Sequence, residues 1–172
     1  SPNVMKVMEP VQFQLMPPEV FGSFDAKQLK RLPVDLIESF SPEAFAELNS
    51  DALTGFNPKA ARNFDPEVFE EINPEQMSGW KPETLSKLSG DQIASMPADA
   101  FEGITAKQAK KFKGKFIKNL DSSQIRSLEP EALEAMPPKT LGRIEGSLSN
   151  QQLDELSLLI EGDGEDIGGP VI

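Results

Sequence analysis

Six lysines crowd one short stretch, "TAKQAKKFKGKFIKNL" at residues 105–120, in a chain with 28 acidic and only 17 basic residues. Lys107, Lys110, Lys111, Lys113, Lys115 and Lys118 stand there without one acid between them. Ammonium groups gathered in this way can concentrate anions, so the chemical classes to consider are acidic polysaccharide, lipid head groups and an acidic protein. The plainer reading, preferred from sequence, is charge balance against acidic stretches such as "DPEVFEEI" at 65–72 on neighbouring turns. Stacking of bases on Phe112 and Phe116 is not expected, because Phe112 holds a core position and Phe116 is at most half exposed. No nucleic-acid partner is therefore predicted.

A second group of potential ligands is "EGDGED" at 161–166, where Asp163, Glu165 and Asp166 supply hard oxygen atoms beside turn-forming glycines, the type of donor calcium takes. The segment has neither the twelve-residue spacing of an EF-hand nor the nonapeptide period of a calcium β-roll, and a solvated tail is the preferred reading. With no cysteine and no histidine, thiol chemistry, disulfides, imidazole catalysis and the usual zinc sites are excluded. The many acids near helix starts read as dipole partners, and neither they nor Glu70 and Glu71 are read as catalytic carboxylates. No enzymatic activity and no cofactor are expected. A net charge of −11 argues against general binding to nucleic acid or anionic membranes. No apolar run approaches the roughly 20 residues that cross a bilayer, so membrane insertion is not expected.

What positions these residues is an eight-residue repeat, plainest at 41–88: "SPEAFAEL NSDALTGF NPKAARNF DPEVFEEI NPEQMSGW KPETLSKL". In this register eighteen octads run without a gap from residue 1 to residue 144. Position 8 is apolar throughout (Phe24, Leu48, Phe64, Ile72, Trp80, Phe112, Ile144), and so is position 5 (Phe21, Phe45, Phe69, Met77, Ile93, Leu133). Fourteen of the fifteen prolines fall at position 1 or 2. Proline is tolerated at the first helical residue, where its missing N–H would be unpaired anyway, so each octad starts a helix. Position 1 is often a capping residue (Asp25, Ser41, Asn49, Asn57, Asp65, Asn73, Ser89, Thr105, Asp121), and position 3 is often acidic. Gln follows the cap by three residues in Asp25/Gln28, Asn73/Gln76, Ser89/Gln92, Thr105/Gln108, Asp121/Gln124 and Ser149/Gln152, the arrangement of a reciprocal capping box.

One long helix is excluded by the prolines, and strands are excluded by apolar spacings of three and five. Helices of about six residues lie well below the ~12–15 at which isolated helices become marginal, so the octads must share a core. The expected fold is an all-α solenoid, a superhelical coil of very short helices with two or three octads per turn. Phe21, Phe45 and Phe69, 24 residues apart, hint at three. Small residues at position 7 (Ser23, Gly55, Gly79, Ser95, Gly103) suit tight reversals and could leave shallow grooves between turns. Residues 1–144 form the repeats, 145–160 a divergent capping octad and 161–172 a flexible acidic, Gly-rich tail.

Octads such as "SPEAFAEL", "DPEVFEEI", "NPEQMSGW" and "EPEALEAM" resemble the tandem TPEQ(V/L)xxL repeats of large secreted or surface bacterial proteins. They are also similar to the Pro-Glu-x-Leu octads of mesothelin- and stereocilin-like surface proteins, whose cysteines and longer helices this chain lacks. The resemblance implies a non-catalytic, extracellular or cell-surface role in adhesion or spacing, and it supplies no site residues. The expected function is a rigid scaffold, spacer or protein-interaction surface within a longer chain with flanking domains. The alternatives are an anion- or glycan-binding adhesin module using the six lysines, and a calcium-dependent or enzyme-accessory module.

Overall fold

A computed structural model describes Met5, residues 7–154 and Ser157. Its elements are short α-helices and 3-10 helices of three to six residues, such as Pro42–Ala46, Pro74–Gly79 and Gly114–Ile117, and no strand occurs among the described residues. Each helix begins where the proline and capping pattern places it. Pro42, Pro58, Pro66, Pro74, Pro82, Pro130 and Pro138 stand in the first helical turn. The side chains of Asp25, Ser41, Asn57, Asp65, Asn73, Ser89, Thr105 and Asp121 accept hydrogen bonds from free amides of the helix that follows. Asn49 is the exception at position 1, because its Nδ2 donates across to the Gly22 carbonyl of an earlier turn.

The helix pairs in most extensive contact are three octads apart: Pro74–Gly79 lies against both Ser50–Leu53 and Ala98–Gly103, and Ala106–Ala109 lies between Pro82–Leu85 and Pro130–Glu134. A single buried core runs through them, built from positions 5 and 8 as expected. Position 4 is buried as well, through Ala44, Ala52, Val68, Ala100, Phe116 and Ala132. The inward stripe is therefore three residues wide, which the spacing of 5 and 8 alone did not indicate. Phe40 packs edge to face with Phe13, Phe45, Phe56 and Phe64, the favoured geometry, and lies tilted against Phe21. Trp80 lies nearly parallel to Phe45 and Phe56, with centroids 6.2 and 5.9 Å away. It is buried, as its position 8 requires, and its indole N–H has no hydrogen-bond partner among the described residues.

The glutamines at position 4 do two jobs. Each Oε1 of Gln76, Gln92, Gln108 and Gln124 accepts the N–H of its own capping residue. Each Nε2 then reaches carbonyls on an octad four units earlier, at offsets of 31 and 28 residues: Phe45 and Leu48 (with Ala46 as a third for Gln76), Ala61 and Phe64, Met77 and Trp80, Ile93 and Met96. All four side chains are buried. Where Thr replaces Gln, the hydroxyls of Thr84 and Thr140 donate to the Phe56 and Phe112 carbonyls at the same 28-residue offset. Helices thus pack three octads apart and are stitched by side chains four octads apart.

The four extra residues Glu145 to Leu148 act as a shortened unit. Glu145–Ser147 forms a 3-10 turn, and Leu148 is buried. Gln152 still bonds the Ile125 and Leu128 carbonyls, at offsets of 27 and 24 in place of 31 and 28. That is the octad four units earlier once these four residues count as one. The later part of the 145–160 cap and the 161–172 tail lie outside the described residues.

Asp121 shows how the caps respond to acid. The Ser123 hydroxyl, and then the Gln124 N–H, hold its carboxyl below the ordinary aspartate value. A depressed folded pKa gives stability that is present above the unfolded value of about 3.9 and is lost as pH falls through the lower folded value. Chemical denaturation of Asp121→Asn, measured between about pH 2 and 5, should show a shallower acid loss than the native chain. An unchanged acid limb would remove this cap from the account.

Candidate functional site

The lysine-rich octads at 105–120 take the same short-helix form, through Ala106–Ala109 and Gly114–Ile117. Positions 4, 5 and 8 of both octads face the core. Phe112 and Phe116 are therefore buried and stack on each other at 4.2 Å, which leaves neither ring for a nucleobase. The remaining positions face solvent, and all six lysines are exposed. The structure divides them. Lys113 and Lys115 line one cavity, Lys118 lines another, and Lys107, Lys110 and Lys111 project from the preceding octad.

The cavity holding Lys113 and Lys115, of about 130 Å³, has three turns as its walls. Arg62 comes from one octad, Ser86 and Lys87 from another, and Lys113, Lys115 and Asn119 from a third. Four cations and no acid line it. Arg62 Nε donates to the Lys87 carbonyl at 3.2 Å, Asn119 Nδ2 to the Lys115 carbonyl at 3.1 Å and the Ser86 hydroxyl to the Glu83 carbonyl at 3.1 Å. These bonds fix the rim. A fifth cation, Arg143, continues the column on the next turn: its guanidinium lies over Gly114, 2.7 Å from where a Cβ would sit, and it shares the second cavity with Lys118. Among the described residues no carboxylate comes within the 4.0 Å of an ion pair with any of the six lysines.

Arg62, Lys87 and Arg143 were not candidates in the sequence, because each is isolated there among ordinary residues. The signal was the coil offset: 62, 87, 113 and 143 are spaced by about one turn, and a turn length is needed before they can be placed in one column. The calcium candidates Asp163, Glu165 and Asp166 lie outside the described residues. Among the described residues no group of three or more metal-ligating side chains converges, and no helix is long and apolar enough to cross a membrane. The chain is an all-α, repeat-like protein by its architecture. Neither a scan against protein-family models nor a search of curated proteins finds a match.

Proposed function

We propose that the chain is a non-catalytic structural module, a stiff spacer or interaction scaffold within a larger secreted or cell-surface protein. The observation that carries this reading is the double stitching from Phe45 onward: helices pack three octads back, and buried Gln and Thr side chains at 76, 84, 92, 108, 124 and 140 bond carbonyls four octads back. A stack held in this way resists bending at each step, and its length scales with the number of units. Variable exposed positions on the outside offer surface to a protein or glycan partner and to flanking domains. The shifted carboxyls also fit a structural role. Glu43 and Asp121 are both lowered by local hydrogen bonds, the first by its backbone and Ser41 and the second by Ser123 and Gln124. A general acid at neutral pH needs a shift in the opposite direction.

Deleting the three octads at 49–72 tests the spacer reading. The shortened chain should melt cooperatively and show a reduced maximum dimension in small-angle scattering, because 24 residues is the period at which Gly55, Gly79 and Gly103 recur and its removal brings Gly79 against the Ala26 backbone as Gly55 was. Loss of folding on this deletion would mean that the fold is a single indivisible domain, and the spacer reading would fall.

A further inference from the structure

We propose that the cavity between Arg62, Lys87, Lys113 and Lys115 is a binding site for a tetrahedral oxyanion, the sulfate or phosphate type. The inference is independent of the spacer reading and draws on residues from three turns, two of them outside the lysine-rich stretch. The cavity is about 130 Å³, roughly four times the ~30 Å³ share of one water molecule, enough for a group with four oxygens. Arg62 is anchored through Nε on the Lys87 carbonyl, and its two terminal nitrogens have no protein partner among the described residues. A guanidinium offers its nitrogens as a planar fork to two oxygens, while ammonium groups act as point charges toward the others. The Ser86 hydroxyl has already donated its one hydrogen to a carbonyl and Asn119 Nδ2 one of its two, so most of the recognition falls on the cations. Four like charges in a cavity without an acid attract an anion more strongly than the same charges scattered over an acidic surface. A planar carboxylate would engage the guanidinium and leave part of the lysine set unused; a tetrahedral group can meet cations arriving from three turns at once.

The test is a titration of the full chain followed by backbone amide resonances. Sodium sulfate is added at constant ionic strength, with sodium phosphate and a sulfated polysaccharide, heparin, in parallel arms. Saturable shifts centred on Lys87, Lys113 and Lys115 are expected with sulfate and phosphate. Arg62→Glu/Lys87→Glu should weaken them by at least about tenfold. Lys107→Glu/Lys110→Glu/Lys111→Glu, outside the cavity, should weaken them by less than about threefold through screened long-range charge alone. Lys113→Ala/Lys115→Ala, which leaves the Arg62 anchor intact, serves as a second variant and should lose binding with an unchanged far-UV spectrum. Heparin binding tighter than sulfate and lost in the same variants would identify a polymer-borne sulfate as the source; equal affinities would identify the free ion. Equal losses in the cavity and non-cavity variants, or no saturable shift with sulfate or phosphate, would overturn the site.

Discussion

Gln108→Glu collapses the stability of the chain at neutral pH and gives part of it back on acidification. Gln108 is buried, and its Nε2 donates to the Met77 and Trp80 carbonyls at 2.9 and 2.8 Å while its Oε1 accepts the Thr105 N–H at 2.8 Å. Glutamate keeps the acceptor and turns the donor into a second negative oxygen facing two carbonyls. The expected cost is about 3–5 kcal/mol, the scale of a buried charge left uncompensated, against a total of about 5–15 kcal/mol for a typical domain. Burial and the facing carbonyls raise the folded pKa of that carboxyl above its unfolded value of about 4.3. The folded state then binds more protons than the unfolded one, so stability falls as pH rises through this range and the full loss is reached above the folded pKa. Below the unfolded value both states are protonated, the acid O–H can donate to one carbonyl, and most of the loss disappears. Gln108→Leu gives the contrast, a loss of about 2–4 kcal/mol from unsatisfied buried groups with no pH dependence of its own. Urea denaturation followed by the fluorescence of Trp80, the single tryptophan, measures both variants between about pH 4 and 8. A glutamate variant as stable as the native chain at neutral pH would mean that the rung is not made.

Gly103→Ala is the second large effect. A Cβ at Gly103 would sit 1.8 Å from the Pro74 carbonyl oxygen, with the carbonyl carbon and Cα of Pro74 at 2.5 and 2.7 Å. Gly79 and Gly55 meet Ser50 and Ala26 in the same way, at 2.2 and 2.3 Å. All three obstacles are backbone, so relief requires one turn of the coil to move away from its neighbour. The expected cost is about 3 kcal/mol or more, at the upper end of overpacking, and larger for Gly103→Val. Gly146→Ala is the control, because nothing lies within 4 Å of its Cβ, and it should change stability by less than about 0.5 kcal/mol. Equal melting of Gly103→Ala and Gly146→Ala would remove the close passage of turns from the account.

These two sites also mark the limit of what the sequence makes legible. Helix starts are local events, set by proline geometry and by side chains bonding amides two or three residues away, and so Pro74, Asn73 and Gln76 announce one unaided. The inward stripe is readable for the same reason. A contact between turns depends instead on the rotation per octad, which follows from how Phe, Trp and Ala volumes pack around the axis. The spare Nε2 of each boxed Gln was visible as a donor without a task, recurring at 76, 92, 108 and 124, yet its acceptors lie 28 and 31 residues back. The glycines at 55, 79 and 103 recur every 24 residues, and their common cause, a carbonyl 29 residues earlier, is likewise a property of the coil. Arg62 and Lys87 join Lys113 and Lys115 by the same route. The lysine-rich stretch drew attention to its own six residues, whereas the cavity takes two of them and adds two from elsewhere.

The central claim is that stitching between turns makes the chain a single stiff body. Because the sequence has no cysteine, Lys30→Cys and Lys139→Cys, both at exposed positions near opposite ends of the described repeats, accept spin labels cleanly. Pulsed dipolar spectroscopy on this doubly labelled chain should give one narrow distance distribution that is the same at low and high salt. A broad or multi-peaked distribution, or one that shifts with ionic strength, would contradict the claim and describe a string of octads that bends between its turns.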